Sequence, residues 1–236
     1  MDEGRAKRIV AIIPARLGSK RIPNKNRRII LGKPLISYTL ESAINSTKVD
    51  QVIVTTDDPE IELIAHKHGA MVIQRPKDLA SDEASSESAL IHALDCLERN
   101  NKFPIEAVVF LQCTSPVRRK SDIDNAIKVF QEESHDSIFS CSRFKRYIWS
   151  IGKEGPSGIN FDERLPRWRE QEFPHQLEEN GSIYVIKPWV LRKTGLRFGG
   201  SIGVFEMDND QSIQLDDEGD WVRCEGILSK YIDDES

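Results

Sequence analysis

Short, mostly apolar runs alternate with segments of helical spacing over the first 135 residues, and this alternation constrains the fold more than any other feature. Such runs are typical of strands that are buried on both faces of a sheet. They lie at residues 8–14, 51–56, 71–73 and 107–111. The helical segments lie at residues 34–44, 58–69, 85–100 and after Ser121. Alternation at βαβ spacing predicts an α/β fold with three layers, in which helices cover both faces of a doubly wound, mostly parallel sheet.

The alternation stops between about residues 143 and 180, where the chain is rich in Arg, Pro, Gly and Trp. A long irregular segment inside a domain is usually functional. We interpret this one as an excursion from a single domain spanning residues 1–236, which either caps the site or pairs two subunits. Strands at 181–186 and 201–207 and a last helix from Glu218 complete the prediction.

Composition and charge exclude some classes of function. The net charge of -5 does not favour nucleic acid or an anionic membrane as a partner, so an anionic substrate needs a local cluster of cations. No apolar stretch approaches the roughly 20 residues needed to span a bilayer, and the N-terminus does not resemble a signal peptide. The four cysteines lack metal-ligand or redox spacing. We therefore expect a cytoplasmic protein with free thiols.

The segment from residue 15 to residue 28, here called the basic loop, carries many Lys and Arg residues and no carboxylate. It follows the first predicted strand, and ligands of doubly wound sheets bind beyond the carboxyl ends of strands. Gly18 and Ser19 allow backbone N–H groups to approach an anion, and Arg16 and Lys25 can supply full charges. These features predict a polyphosphate site, although the P-loop spacing is absent. The alternative interpretation is a solvated basic loop.

Five segments, in order along the chain, carry a resemblance to a known family. They lie at residues 13–26, 75–86, 112–118, 180–184 and 212–221. The first reads Ile-Pro-Ala-Arg-Leu-Gly-Ser-Lys-Arg-Ile-Pro-Asn-Lys-Asn, and the fourth reads Asn-Gly-Ser-Ile-Tyr. Together they resemble the motifs of the acylneuraminate cytidylyltransferases over nearly the whole chain. The resemblance implies a fold of the nucleotide-diphospho-sugar transferase type, the substrates CTP and an acidic sugar, Mg²⁺ as cofactor, and a homodimer.

The resemblance assigns ten residues to the nucleotide, namely Ala15, Arg16, Gly18, Ser19, Lys20, Lys25, Asn26, Arg75, Ala84 and Ser86. Those that would hold the triphosphate are Arg16, Ser19, Lys20 and Lys25. Asn26 would lie near the ribose. Arg75, the Ala84 backbone and Ser86 would read the cytosine edge, which offers two acceptors and one donor. From the residues alone, Arg75 followed by Pro76 is typical of an ordinary turn.

The resemblance also assigns four residues to the sugar acid, namely Gln112, Arg169, Asn180 and Tyr184. An acidic sugar needs cations of its own. Further cations of the excursion are Lys145, Arg146 and Arg167. From the residues alone, Gln112 is equally a capping amide and Tyr184 is equally a core residue. Arg118 has two interpretations, since it could bind an anion or pair with Asp122 or Asp124.

The proposed metal position departs from the family pattern, which usually has two aspartates at alternate positions. This chain has Gln214 at the first position and Asp216 at the second. Alternate positions of an extended segment point the same way, so Gln214 could offer a neutral oxygen or hold a metal-bound water. Mg²⁺ can manage with one carboxylate and phosphate oxygens. Asp217, Glu218 and Asp220 are predicted to begin the last helix.

The resemblance implies that the anomeric hydroxyl of a 3-deoxy-2-keto sugar acid, a nonulosonate of the sialic acid type, attacks the α-phosphorus of CTP and releases pyrophosphate. Arg16 and Lys25 would stabilise the leaving group, and Mg²⁺ at Asp216 would bridge phosphate oxygens. The alternatives are a CMP-Kdo-type or other sugar nucleotidyltransferase, and a nucleotide-binding relative that is inactive because of Gln214. Residues 143–149 depart from what we expect of enzymes selecting N-acetylneuraminate, so the sugar stays open.

Overall fold

The computed structural model describes residues 7–18, 21–100 and 104–234, in which eleven strands and six α-helices occur. The strands are β1 (Arg8–Pro14), β2 (Ile29–Ile30), β3 (Lys33–Pro34), β4 (Gln51–Thr56), β5 (Met71–Gln74), β6 (Ile105–Leu111), β7 (Ser137–Phe144), β8 (Trp149–Gly152), β9 (Gly155–Gly158), β10 (Gln176–Ile186) and β11 (Ile202–Glu206). The helices are α1 (Leu35–Ile44), α2 (Pro59–Lys67), α3 (Ser86–Asn100), α4 (Asp122–Glu132), α5 (Pro188–Thr194) and α6 (Glu218–Asp234). Among these helices, none is long and apolar enough to cross a membrane.

Seven strands form one sheet in the order β11-β7-β10-β6-β1-β4-β5. β10 runs antiparallel to β6 and β7, and the other pairings recorded for this sheet are parallel. The predicted mostly parallel sheet is therefore confirmed. From β1 the chain proceeds through β4 and β5 on one side and through β6 on the other. The crevice at the carboxyl end of β1 is thus the switch point, where ligands of open α/β sheets bind.

Alternate residues of β1 enter two different cores. Ile13 belongs to a cluster with Leu40 of α1 and Ile127 of α4. Ile12 belongs to a cluster on the other face with Leu94 of α3. Complete burial of a side chain of this size contributes about 1.5–3 kcal/mol to folding. A strand that fills both cores has no polar face, which explains the continuous apolar run that predicted it.

The positions of most predicted strands and helices are confirmed to within a few residues, but β2, β3, β7, β8, β9 and α5 were not predicted. The predicted excursion is also too long, since β7 extends to Phe144 and β10 already begins at Gln176. β7 escapes prediction because buried serines interrupt its apolar pattern. The Ser140 hydroxyl donates to the Asn180 side-chain oxygen at 2.6 Å and accepts from the Ile183 N–H at 2.7 Å. Buried polar groups with partners are tolerated in a core, so a strand containing them can lie inside the sheet.

A third cluster joins the beginning of the chain to its end. Ile22 of the basic loop packs there with Leu215, Trp221 and Leu228. Arg28 reinforces this contact, since its guanidinium lies 4.2 Å from the centre of the Trp221 ring. The basic loop is therefore held beside the segment that precedes α6.

Between β7 and β10 the chain leaves the sheet and forms the β8–β9 hairpin. A small aromatic core holds this excursion, made of Tyr147, Trp149, Phe161, Trp168 and Phe173. The guanidinium of Arg167 lies 4.2 Å from the centre of the Phe161 ring. Arg167 therefore packs on the aromatic cluster of the excursion from its exposed side.

Candidate active site

A cavity of about 450 Å³, here called the nucleotide cavity, opens beyond the carboxyl ends of β1 and β6. Its walls come from the basic loop, the turn before α3, the turn after β6 and the segment before α6. Nine of the predicted residues line it, namely Arg16, Gly18, Lys25, Asn26, Arg75, Ala84, Ser86, Gln112 and Asp216. Ala15 is buried behind it, and its N–H donates to the Thr55 carbonyl at 3.0 Å. Ser19 and Lys20 lie outside the described residues.

The basic loop is anchored to the segment that follows β4. The Leu17 N–H donates to the Asp57 carboxylate at 2.9 Å. Near the other end of the loop, Arg27 lies 3.7 Å from the buried carboxylate of Asp58. Arg27 is thereby engaged outside the cavity, whereas Arg16, Arg21 and Lys25 of the same loop line it. This arrangement favours the polyphosphate interpretation over a solvated charge run.

Arg16 connects the basic loop to the turn before α3. Its Nη1 donates to the Ser81 carbonyl at 2.6 Å, and its Nη2 lies 3.0 Å from the Asp82 carboxylate. Because this ion pair is partly exposed, it contributes little to stability. An anion in the cavity can therefore compete for the guanidinium at small cost.

Lys25 connects the basic loop to the acidic segment before α6. Its Nζ donates to the Leu215 carbonyl at 2.6 Å. Burial lowers the pKa of Lys25, and the nearby Asp216 carboxylate opposes this shift. A partly desolvated ammonium interacts strongly with a bound anion because less water screens the charge.

Arg75 is a buried cation in the cavity wall. Its Nη2 donates to the Thr55 carbonyl at 2.7 Å, while its Nε is buried without a hydrogen-bond partner among the described residues. Burial lowers the pKa of Arg75 to about 10, so the side chain is protonated at neutral pH. A buried donor without a partner costs about 1–3 kcal/mol, and an acceptor on a ligand would remove this cost.

Asp216 presents its carboxylate to the nucleotide cavity, with a side chain 59% exposed and 4.0 Å from Arg21. Its backbone is fixed, because the N–H groups of Asp216 and Asp217 donate to Asp220 at 3.0 and 3.1 Å. Asp217 in turn accepts from the Asp220 N–H at 2.9 Å. The predicted helix start is confirmed, since α6 begins at Glu218.

The residues present fit a magnesium ion that is completed by a substrate. No group of three or more His, Cys, Asp or Glu side chains suited to a metal occurs within residues 7–18, 21–100 and 104–234. Mg²⁺ is usually bound through one or two carboxylates together with substrate phosphates. The exposed Asp216 carboxylate, facing a cavity lined by cations, provides that donor set.

Two amide side chains meet at Gly181, between the nucleotide cavity and a larger one of about 960 Å³. Gly181 has a φ of 66°, and a Cβ there would lie 2.6 Å from Gln112 Oε1 and 3.4 Å from the Gln214 amide. Glycine alone adopts this backbone conformation without strain. Gln112 lines the nucleotide cavity with Asp216, whereas Gln214 lines the larger cavity.

Residues 10–151 match the sequence model of a protein family that is described as cytidylyltransferase. This chain belongs to the cytidylyltransferase family. It is 33% identical over 226 residues to an N-acylneuraminate cytidylyltransferase of Escherichia coli O18:K1:H7, covering 94% of this chain and 52% of that protein. It is 35% identical over 186 residues to a pseudaminic acid cytidylyltransferase of Campylobacter jejuni serotype O:2, covering 77% and 80%. The chain spans about half the length of the curated N-acylneuraminate relatives.

Solved structures of other cytidylyltransferases share the fold. A CMP:2-keto-3-deoxy-manno-octonic acid synthetase complexed with CTP superimposes with a TM-score of 0.71 at 20% identity, covering 95% of this chain and 99% of that one. A 4-diphosphocytidyl-2C-methyl-D-erythritol synthase of Anaerococcus prevotii gives a TM-score of 0.67 at 13% identity, covering 94% and 96%. The predicted nucleotide-diphospho-sugar transferase type of fold is confirmed.

In this cytidylyltransferase, Gln112 is the member of the predicted sugar set that lines the nucleotide cavity. Arg169 lies in the excursion, with a side chain 77% exposed and 4.0 Å from Glu172. Asn180 is buried, and its amide nitrogen donates to the Ser212 hydroxyl at 3.2 Å. The structure therefore brings neither Arg169 nor Asn180 to the cavity.

Tyr184 packs in the core behind the cavity. Its ring is stacked on Phe110 at a centroid distance of 5.2 Å, and its hydroxyl donates to Glu179. Burial is the main cause that raises the pKa of Tyr184, so the hydroxyl stays protonated. Phe110 itself lines the cavity, so Tyr184 supports the cavity wall from behind.

Arg118 adopts a third role that the sequence did not predict. Its guanidinium is buried and donates to Thr39 Oγ1 at 3.1 Å, to the Gln112 carbonyl at 2.9 Å and to the Ser182 carbonyl at 2.8 Å. It thereby joins the turn after β6 to β10. This residue fixes the backbone that carries Gln112, where the sequence suggested an anion contact or an aspartate pair.

Two acidic residues of the site were missed by the sequence reasoning. Asp57 follows β4 and holds the basic loop through Leu17, and Asp82 pairs with Arg16. Asp57 had a usable signal, because it stands directly after a buried strand at the ligand edge of the sheet. Asp82 had none beyond the resemblance, since its contact depends on how the turn before α3 folds back.

Proposed function

We propose that this cytidylyltransferase transfers CMP from CTP to the anomeric hydroxyl of a 3-deoxy-2-keto sugar acid of the nonulosonate type, with release of pyrophosphate. One observation carries the proposal: a single cavity is lined by Arg16 and Lys25, by the buried Arg75, and by Asp216. These groups match the parts of a metal-bound nucleoside triphosphate. Cations suit its phosphates, a buried donor suits its base, and a carboxylate suits its metal.

In this proposal Arg75 selects the base. Cytosine offers O2 and N3 as acceptors, which suit guanidinium donors, whereas uracil carries a hydrogen on N3 that would oppose them. The carbonyl of Ala84 suits the cytosine N4 amino group, and the Ser86 hydroxyl can donate or accept. UTP should therefore bind more weakly than CTP.

The chain's own contribution to the reaction is alignment and charge neutralisation. The acceptor hydroxyl loses its proton to solvent and its oxygen bonds to the α-phosphorus, while the bond from that phosphorus to the pyrophosphate oxygen breaks. Arg16 and Lys25 stabilise the charge that collects on pyrophosphate, and one preorganised contact of this kind is worth roughly 10²–10³-fold in rate. Gln112 lies beside the same cavity and can orient the acceptor.

Asp216 would hold Mg²⁺, with Gln214 offering a neutral amide oxygen or a hydrogen bond to metal-bound water from the boundary of the two cavities. When bound, the ion supplies positive charge to the phosphate oxygens. The Lys25 bond to the Leu215 carbonyl holds the Asp216 segment against the basic loop, so both charges act on the same phosphates.

Two copies of the chain would pair through the excursion. It exposes a group of large apolar side chains, namely Trp149, Ile151, Ile159 and Leu165. Grouped exposed apolar side chains mark protein contacts. Sedimentation should give a dimer for the wild type and a shift toward monomer for Ile151→Asp, whereas a wild-type monomer would contradict the pairing. A cytoplasmic location is favoured by the four cysteines, which are all free.

A substrate panel with pyrophosphate release as the readout tests the function. CTP and UTP are each combined with Mg²⁺ and with N-acetylneuraminate, pseudaminic acid or 2-keto-3-deoxy-manno-octonic acid. We expect pyrophosphate and a CMP-sugar in equal amounts with CTP and a nine-carbon acid. Preference for the eight-carbon acid would favour the CMP-Kdo-type alternative. CTP binding without pyrophosphate release from any combination would favour an inactive relative.

A further inference from the structure

A largely buried ion pair lies directly behind the wall of the nucleotide cavity. Arg197, in the connection between α5 and β11, donates from Nε to the Glu87 carboxylate at 2.6 Å. Glu87 directly follows Ser86, which lines the cavity. The two side chains are only 20% and 12% exposed. The pair therefore joins the start of α3 to a distant segment next to the site.

The Arg197 guanidinium also packs on the rings that form the cavity wall. Its centre lies 5.1 Å from the ring centre of Phe110 and 4.8 Å from that of Tyr184. Phe110 lines the cavity, and Tyr184 is stacked behind it. The Tyr184 hydroxyl also contacts the Arg197 guanidinium. The cation is thus held against the ring of Phe110, which itself lines the cavity.

This ion pair needs an explanation, because buried charges are costly and a buried salt bridge is weak evidence for stability. Burial opposes the charge of Arg197, yet its hydrogen bonds and charge interactions with Glu87 and Tyr184 together raise the pKa of Arg197. The guanidinium is therefore charged at neutral pH. The proposed contacts to CTP make no use of it.

We infer that Arg197 is a specificity-determining residue that binds the carboxylate of the acceptor, with Glu87 orienting it. The inference rests on the proposed function, in which the acceptor is an acid and needs a cation outside the triphosphate site. Arg169, which the resemblance assigned to the sugar, stands apart from the cavity, as shown by its exposure and its contact with Glu172. A guanidinium has five N–H donors in a planar fork, so Arg197 can keep Nε on Glu87 and turn its other donors to a carboxylate.

Equilibrium binding tests this inference without relying on turnover. In the presence of a non-hydrolysable CTP analogue and Mg²⁺, calorimetry compares the tightest-binding acid of the panel with its C1 amide, which has the same shape but no charge. The variants are Arg197→Met and Arg192→Met. Arg192 is a matched control, because this arginine of α5 also pairs with carboxylates of α3, Asp95 and Glu98, whereas the contacts to the Phe110 and Tyr184 rings are made by Arg197.

We expect the wild type and Arg192→Met to prefer the acid by roughly 10- to 100-fold, the value of a hydrogen bond to a charged group. Arg197→Met should lose that preference and keep its affinity for the CTP analogue. A folded Arg197→Met that retains the preference overturns the inference, as does a wild type without one. If Arg197→Met does not fold, Glu87→Gln decides: because the charge that orients Arg197 is removed, the preference for the acid should fall, and an unchanged preference would overturn the inference. Pyrophosphate release, measured separately, reports on the proposed function alone.

Discussion

The ammonium of Lys25 donates a hydrogen bond of 2.6 Å to the carbonyl of Leu215, 190 positions further along the chain. Leu215 is buried, and Asp216 follows it with its carboxylate at the nucleotide cavity. The loop proposed to hold the triphosphate and the carboxylate proposed to hold Mg²⁺ are therefore fixed relative to each other. Fixed geometry of this kind is what a phosphoryl-transfer site needs, since alignment supplies much of its catalysis.

Lys25→Met should lower kcat/KM for CTP by roughly 100- to 1000-fold, because it removes a preorganised charge from the pyrophosphate and releases the Leu215 carbonyl. Steady-state kinetics with pyrophosphate readout measures this. Lys128→Met is the matched control, since Lys128 is an exposed lysine of α4 whose recorded partner is Glu132. Near-normal turnover of Lys25→Met would remove this lysine from the site.

The pH dependence of kcat/KM for CTP should reflect the deprotonation of Lys25. Its pKa is lowered by burial, so in the free enzyme it loses its proton at a lower pH than an exposed lysine. The positive form binds phosphate, so kcat/KM for CTP, which reports the free enzyme, should fall on the alkaline side. Lys25→Arg should move that fall to higher pH, because arginine stays charged. An alkaline limb that is identical in both proteins would contradict the assignment.

Asp216→Asn should abolish magnesium-dependent turnover, because an amide binds Mg²⁺ far more weakly than a carboxylate. Asp217→Asn is the neighbouring control. Asp217 accepts the Asp220 N–H at the start of α6, and asparagine can make the same capping bond. Titration of Mg²⁺ at fixed CTP distinguishes the two variants. Equal magnesium dependence in both would show that Asp216 is not a ligand.

Comparing Gly181→Ala with Gly195→Ala separates the effect of backbone strain on stability from the effect of displacing Gln112 on turnover. Both glycines have positive φ, 66° and 68°, so alanine at either position should cost about 1–2 kcal/mol of stability. At Gly195 nothing lies within 4 Å of the added Cβ, whereas at Gly181 it would press on Gln112 Oε1. Turnover should therefore fall at least about tenfold in Gly181→Ala only. Equal turnover in both variants, measured below their melting temperatures, would exclude a role for Gln112.

Arg118→Met should lower the free energy of unfolding by about 3–5 kcal/mol, because it removes the buried guanidinium that donates to Thr39 Oγ1 and to the carbonyls of Gln112 and Ser182. Arg119→Met is the adjacent control. Its guanidinium is exposed and pairs with Asp208 at the surface, so its loss should cost less than about 1 kcal/mol. Denaturant unfolding followed by circular dichroism measures both. Similar midpoints for the two variants would contradict the structural role of Arg118.

Much of the fold follows from the sequence because β1, β4 and β6 are buried on both faces and show it in their composition. The reversed direction of β10 does not follow, since strand direction depends on pairing with β6 and β7 and leaves no mark in the residues. β7 is hidden for a different reason. Its serines are satisfied by Asn180 and by the backbone of β10, which only the folded chain brings near.

The nucleotide side of the site could be predicted because its residues lie in short segments at strand ends, where sheet geometry gathers them. The acceptor side could not. Arg197 and Glu87 are 110 positions apart, and nothing in either segment indicates that they meet. Gln214 and Asp216 stand at alternate positions, which predicts that their side chains point the same way. In the structure Gln214 lines the larger cavity and Asp216 lines the nucleotide cavity, so spacing alone did not predict where each side chain lies.

A crystal structure with Mg²⁺ and a non-hydrolysable CTP analogue tests the central claim most directly. We predict that the phosphates contact Arg16 and Lys25, that the cytosine edge contacts Arg75, and that the ion contacts Asp216. A nucleotide bound elsewhere, with the basic loop unchanged and the cavity filled only by water, would contradict the account.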